Sequence, residues 1–539
     1  MVGHFKERIA DAFEHVEPWF ISSVAFDPKK CQVDIHIDVR KTTDIVCPYY
    51  RKATPYYVYE PHRNLIASIE NTHSNNVISR FDYTNDAIGR RTAITRTGSA
   101  FSSLSGSIDH YGYNDRSELV SARRTLNGEE VRGFSFGYAY DSIGNRTSST
   151  ELDENGVPRT SHYAANELNE YESRTIPGHT TILGEASTNA IVTINGNPTW
   201  RKGAYFIGGD NFDNHSSSVF AELTTTGVRS TTESDEVESS IGHKFLAQTP
   251  ETFTYDADGN MTSDGRFNYI WDAENRLIAA ETRTDLVPDV PRIRVENAYD
   301  HQFRRIEKSV STNTIFQYTN MFFYDDWNII CETNLAENKS TNISHVWGLD
   351  LNGMLHGTGG VGGILASSTS SYLLDTCGNV SENVSSDGRV LQHFDYTPFG
   401  ERLSNNSEST CFFTQNTKQI DSEIGLYYYG YRYLSSVQGM WLTRDPSRYL
   451  KDPNLNNFIY NDPINHFDAL GLYTAIVGGA NEGDEKTQMR LKRLVGADQA
   501  FSWTECSELV ESIKKHHEAN PKAPIILIGH DIKGSDPSV

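Results

Sequence analysis

Residues 424–472 read IGLYYYGYRYLSSVQGMWLTRDPSRYLKDPNLNNFIYNDPINHFDALGL. Tyr, Gly, Asn and Asp-Pro recur throughout, and no helical apolar period runs along the stretch. Short strands broken by turns are therefore expected. Two aspartates stand out: Asp445 in Thr443-Arg444-Asp445-Pro446, and Asp468 in Phe467-Asp468-Ala469-Leu470-Gly471-Leu472. They are 23 residues apart, so paired strands could bring them together. Two close carboxylates cannot both ionise cheaply and share a proton, so one can serve as base and the other as acid. Each could equally do no more than cap a turn, the reading that suits Asp452 and Asp462.

Upstream, from about Tyr56, an internal repeat appears, aromatic-x-aromatic-Asp-x-x-Gly-Asn/Arg. Clear copies are Tyr138-Ala139-Tyr140-Asp141-Ser142-Ile143-Gly144-Asn145-Arg146 and Phe253-Thr254-Tyr255-Asp256-Ala257-Asp258-Gly259-Asn260. Looser ones begin at Tyr83, Tyr269 and Tyr372. Aromatics spaced by two share one face of a strand. Asp caps local amides, and Gly or Asn accepts the positive φ of the turn. A lone hairpin cannot bury its face, so successive copies must pair edge to edge. Such arrays build propellers, β-helices or spiral shells. The repeats fade between about Thr175 and Pro250, where Ser/Thr runs suggest irregular strands and loops within the wall.

The repeat and the 424–472 stretch together resemble the YD repeats and the RHS-repeat-associated core of bacterial polymorphic toxins, and the related teneurin YD-shell. The matching core residues are Gly425-Leu426-Tyr427-Tyr428, Arg432-Tyr433, Gly439, Arg444-Asp445-Pro446, Tyr460-Asn461, Pro463-Ile464-Asn465 and Asp468 to Leu472. Gly359-Gly360-Val361-Gly362-Gly363-Ile364-Leu365 is similar to an element that precedes the last repeats in that family. It has no Gly-Lys-Ser/Thr and no following helix signal, so it is not a phosphate loop. The resemblance implies a mainly β fold, a spiral of hairpins forming a partial hollow shell, followed by a short α/β module. It also implies self-cleavage after Leu472 and before Tyr473 by Asp445 and Asp468 with help from Arg444. Both motifs depart from the family, which has Gly where Arg448 stands and Pro where Ala469 stands. The implied role is to enclose a C-terminal effector and release it in intercellular competition or delivery. The implied partners are that cargo segment, an immunity protein and secretion machinery. Secretion or a cell-surface location follows from the same resemblance.

Composition agrees with a long meander of short strands: 37% hydrophobic residues with 28 Tyr, 25 Phe and 40 Gly in 539 residues. The net charge of −23 repels nucleic acid and anionic lipid, so neither is an expected partner. Cys31, Cys47, Cys331, Cys377, Cys411 and Cys506 form no CxxC pair, so neither a disulfide framework nor a metal site is expected, and no cofactor. The N-terminus lacks an apolar signal region, and no apolar window is long enough to span a membrane. A cytoplasmic product therefore stands as the alternative location.

The two ends differ from the middle. Residues 1–50 resemble the N-terminal zinc-binding segment of an insertion-sequence transposase family. The carriers are Glu17-Pro18-Trp19-Phe20, Ser23 to Asp27, Asp34 to Asp38 and Cys47-Pro48. Tyr50 replaces that family's second cysteine, so a ligand is missing. A helix over 1–16 and strands at 18–21 and 33–39 are expected. Residues 473–539 read β-α-α-β and end in Gly529-His530-Asp531-Ile532-Lys533-Gly534. This resembles an α/β-hydrolase nucleophile elbow with Asp531 at its centre. No His follows Asp531, so a hydrolase module here would be truncated or inactive. The expected organisation is a transposase-like segment to residue 50, shell 51–400, core 401–472 and effector-like module 473–539. Two other readings stay open: a structural or adhesive shell that recognises surfaces without proteolysis, and a degenerate fusion product.

Overall fold

The computed structural model describes residues 19–27, 32–39, 53–446 and 454–476, apart from short gaps at 64, 75, 102–103, 233, 338, 404–411 and 473. The expected helix over 1–16, Cys47 and the effector-like module beyond its first strand at Thr474–Ile476, Asp531 included, lie outside the described residues. The two N-terminal strands pair as Trp19–Asp27 against Gln32–Val39.

Each repeat places its strand beside the next. Ten consecutive strands from Ala53–Tyr59 to Tyr171–Arg174 form one antiparallel sheet, and Glu251–Thr252 adds the eleventh strand at its end. Consecutive strands from Thr254–Tyr255 to Val390–His393 form a second sheet of 13. Both are open meanders, and neither closes on itself as a barrel. The stretch between about Thr175 and Pro250 is not part of the wall, contrary to expectation. The chain leaves the sheet after Arg174, builds two small sheets, and returns at Glu251–Thr252 to pair with the strand it left. The insertion docks on the wall through Tyr205 and Ile207, which pack with Leu104, Val131 and Phe134.

The repeat's residue types have definite tasks. Asp141 Oδ1 accepts the N–H groups of Ile143 and Asn145, both at 2.9 Å. Asp256, Asp272, Asp300 and Asp375 each accept the same pair of amides, two and four residues on. The third residue after each Asp has positive φ, as at Gly144, Gly259, Asn275 and Gly378. The aromatic before the Asp locks one repeat to the previous one. The Tyr140 hydroxyl donates to Leu119 O, Tyr299 to Leu277 O and Tyr324 to Arg305 O, at 2.7–3.0 Å, and Tyr396, which precedes Thr397, donates to Val380 O at 2.7 Å in the same way. Trp271 does the same through Nε1, to Met261 O at 2.7 Å. An aromatic that buries its ring and donates from its tip is what this position requires.

The 424–472 stretch fills the space between the two sheets. Gln419–Asp421, Leu426–Tyr428, Tyr433–Ser435 and Met440–Trp441 form a four-stranded sheet. Its alternation splits two ways. Leu426, Tyr428, Tyr433 and Met440 pack on Phe267, Leu277, Val295 and Val310 of the larger wall sheet. Tyr427, Tyr429, Leu434 and Trp441 pack with Leu119 and against Tyr111, Tyr138 and Tyr140 of the other. A strand buried on both faces reads as a continuous apolar run, as Leu426-Tyr427-Tyr428-Tyr429 does. Arg305, wholly buried, ties the wall to this plug through Asp421 at 2.5 Å and Gln419 at 2.7 Å. Lys308 meets Asp421 as well, at 3.1 Å.

Candidate active site at the end of the core

After the Met440–Trp441 strand the chain runs through Thr443 and Arg444 to Asp445, whose amide donates to Leu455 O at 3.0 Å. The His466–Asp468 strand then turns tightly and pairs with Thr474–Ile476, Asp468 opposite Thr474. In the sequence, the Leu472–Tyr473 bond lies between these two strands. Asp468 shapes this turn: its Oδ1 accepts the amides of Leu470 at 3.1 Å, Gly471 at 2.6 Å and Leu472 at 3.2 Å. Gly471 has φ +75°, and a Cβ there would stand 3.1 Å from Arg432. A side chain there would strain the backbone and crowd Arg432, so the turn favours glycine at this position.

Arg432 joins the two aspartates. Its Nη2 is 3.2 Å from Asp445 Oδ2 and 3.5 Å from Asp468 Oδ2. Its Nε donates to Gly471 O, and its Nη1 to Leu455 O at 3.3 Å. The guanidinium also stacks on Trp441, 4.2 Å from the ring centre. All three charged side chains are buried, at 4–5% exposure for Arg432 and Asp445 and 1% for Asp468. One cation thus stands against two buried carboxylates. Burial, with Asp445 adding to it, lifts the Asp468 carboxyl to about 6 against the pull of Arg432 and of the Gly471 and Leu472 amides. Burial also lowers the Arg432 guanidinium, opposed by Asp445 and Asp468.

The sequence-predicted residues are thus partly brought together. Asp445 and Asp468 converge on one nitrogen. Arg444 turns to the wall instead, bonding Glu170 Oε1 at 2.6 Å beneath Gly259. Among the described residues, the guanidinium that contacts both aspartates is that of Arg432. Sequence reasoning matched Arg432 to the core but gave it no task. The available signal was an arginine inside the apolar run between Leu426 and Leu434, where burial demands a paired charge.

Lys418 was also overlooked. It is buried, its Nζ donates to Gly359 O at 2.9 Å, and burial lowers it to about 8 against the pull of Asp350 and Asp468. Gly359 in turn leaves room for Leu470, since a Cβ there would come within 2.5 Å of that side chain. The glycine-rich 359–363 loop is therefore a support beneath the Asp468 turn, and Asp350 caps it through Thr358 N and Gly360 N at 2.8 and 3.0 Å.

The arrangement supplies the groups that general acid–base chemistry uses. A carboxylate and a carboxylic acid side by side can take a proton from water and give one to a leaving amine. It also satisfies the turn's backbone, a purely structural duty. Among the described residues, Asp153, Glu154 and His179 are the one trio with ligand atoms close enough to hold a metal, and it lies where a wall turn meets the first strand of the insertion. Asp153 is already engaged by Arg159, and Glu154 by His179.

No family model matches the chain. Among curated proteins it is similar to the tRNA3(Ser)-specific nuclease WapA of Bacillus spizizenii, 29% identical over 253 residues, or 44% of this chain and 10% of that protein. The tRNA nuclease WapA of Bacillus subtilis is 26% identical over 250 residues, with the same coverage. Toxin subunit YenC1 of Yersinia entomophaga is 26% identical over 133 residues, 24% of this chain and 14% of that protein. The chain spans about a tenth of the length of the curated relatives it matches first. Among solved structures, the Photorhabdus luminescens Tc holotoxin pore aligns over 86% of this chain and 20% of that one, at 16% identity and a TM-score of 0.46.

Proposed function

The chain is an RHS/YD-repeat protein of the polymorphic-toxin type, and from that premise we propose that it carries a C-terminal effector segment and frees it by cutting itself between Leu472 and Tyr473. The observation that supports the cut is the pair Asp445 and Asp468 bracketing one Arg432 nitrogen, with Asp468 accepting the amides of Leu470, Gly471 and Leu472 just ahead of that bond in the sequence. Asp445 as carboxylate takes a proton from water, whose oxygen adds to the Leu472 carbonyl carbon. Asp468, neutral below about pH 6, gives its proton to the Tyr473 nitrogen as the C–N bond breaks. A carboxyl end at Leu472 and an amine at Tyr473 result. Arg432 holds the carboxylates in register, and Arg444 anchors the Asp445 loop to Glu170.

Release of residues 473–539 as cargo, a matching immunity protein and delivery by secretion or with other toxin components complete the reading. It draws on the relatives' names: YenC1 is a toxin subunit and WapA a nuclease. The nuclease activity belongs to WapA, and this chain's effector chemistry is left to assay. Among the described residues, no helix is long and apolar enough to cross a membrane.

A second reading rests on one observation. Three backbone amides converge on Asp468 Oδ1, so this residue could serve the turn alone, in a shell that recognises surfaces without proteolysis. Mass measurement of the purified chain separates the two. Cleavage gives residues 1–472 and 473–539 from the wild type and an intact chain from Asp468→Asn. An intact wild type favours the structural shell.

A further inference from the structure

Among the described residues, the insertion ends in an open edge. Asp235–Leu246 is the outer strand of the sheet ordered Asn197–Pro198, Ile191–Ile194, Val219–Ser230, Asp235–Leu246. Its first ten residues are all exposed. Long edge strands are usually blunted, because unpaired N–H and C=O groups recruit other strands. Here the solvent face is also apolar. Ile191, Val228 and Val237 lie in register across three strands. Ile191 is 70% exposed, and Val237 and Ile241 are 63% exposed each. The row runs out to the edge and stops there.

The charges on this strand have a direction. Asp235, Glu236 and Glu238 occupy its first half, His243 and Lys244 its second. A parallel neighbour of the same sequence would set acid against acid. An antiparallel copy sets acid against base. We propose that this edge is a self-association surface, on which the Asp235–Leu246 strand of a second copy of the chain adds antiparallel about a two-fold axis at Ser239. In this register Val237 faces Ile241 of the copy, and Ile241 faces its Val237, extending the apolar row into the second molecule. Asp235 faces His243 of the copy, and Glu236 lies diagonal to Lys244 of the copy, within reach of a cross-strand ion pair. The even register also keeps each apolar face on its own side, as strand pairing requires. Each pair occurs twice by symmetry. The two four-stranded sheets become one of eight.

Sedimentation velocity of the full chain over a wide range of concentration tests this. The wild type should show a reversible monomer–dimer equilibrium. Glu236→Lys or Lys244→Glu alone should each weaken it about tenfold, and the two together should restore it, because the copies then exchange signs. Ser239→Cys should cross-link copy to copy through a short bifunctional maleimide beyond the wild-type level. The substituted side chains are exposed, and circular dichroism checks that each variant folds. A monomer at every concentration overturns the proposal. So does a dimer that ignores both single reversals, fails to recover in the double variant, or leaves Ser239→Cys uncross-linked. A chain that stays monomeric yet captures an added foreign strand on this edge overturns it as well.

Discussion

The Arg432 guanidinium nitrogen that approaches Asp445 at 3.2 Å is the same atom that approaches Asp468 at 3.5 Å. Two carboxylates from distant turns of the sequence are thus held by one buried cation, and a single positive charge cannot neutralise both. Removing Arg432 should leave two buried acids without the cation they share. Arg432→Gln is expected to lose self-cleavage and to destabilise the core by about 3–5 kcal/mol. Thermal unfolding and a gel of the same sample read the two effects together.

Asp468→Asn keeps an acceptor oxygen for the amides of Leu470, Gly471 and Leu472, but it cannot act as the acid. It should stay folded and uncut. Asp445→Asn should do the same by removing the base. Arg444→Gln breaks only the contact with Glu170 and should slow cleavage far less than Arg432→Gln does. Equal loss from both arginine variants would transfer the positioning role to Arg444.

The pH dependence follows from the raised Asp468 carboxyl. Its folded value of about 6 lies above the ordinary carboxylic value, so its proton is present below that pH and lost as pH rises through it. Cleavage started by a pH jump should fall about tenfold per unit above this point. The same shift carries a stability consequence. Relative to Asp468→Asn, the stability of an uncut chain should be greatest near pH 4 and decline by up to about 3 kcal/mol toward pH 7. Urea unfolding at both pH values measures this.

A second titration sits in the seam between the two wall sheets. Arg96 and Arg124 clasp Asp109 and Asp395, and His393 bonds Glu382 at 3.1 Å and Asp395 at 3.5 Å. Burial opposes the His393 charge, but Asp395 and Glu382 prevail and lift it to about 9. Stability from this group is full below its unfolded value near 6.5 and is lost as pH rises through about 9. Wild type minus His393→Gln should therefore shrink by up to about 3 kcal/mol between pH 6 and pH 9.5 in equilibrium unfolding.

The inter-repeat lock predicts a pattern of tyrosine sensitivity. Tyr140→Phe and Tyr324→Phe each remove the donor to a buried strand carbonyl, and each should cost about 1–2 kcal/mol. Tyr56→Phe, at a position 66% exposed, should cost almost nothing. Thermal unfolding of the three variants checks this.

The repeat was legible because its rules are local. An Asp that caps amides two and four residues on, and a residue of positive φ between them, leave a mark in any one copy. The short strands of 424–472 were legible from its turn residues, but the burial of Leu426-Tyr427-Tyr428-Tyr429 on both faces was not, because its two partner sheets are distant in sequence. The convergence of Asp445 and Asp468 followed from spacing and resemblance. The choice of Arg432 over Arg444 did not, because it depends on which way two side chains point across a turn 13 residues distant in sequence. The independent sheets of the insertion were invisible for a different reason. Ser/Thr-rich strands carry weak periodicity, and their departure from the wall is a matter of long-range pairing between Ser173 and Thr252.

The most direct measurement is the intact mass of the freshly purified wild-type chain held at pH 5.5, with Asp468→Asn beside it. Two species are predicted for the wild type, one ending at Leu472 and one beginning at Tyr473, against a single intact species for the variant. A wild type that remains one uncut chain of 539 residues, or one cut identically in the Asp468→Asn variant, would contradict self-cleavage by this pair.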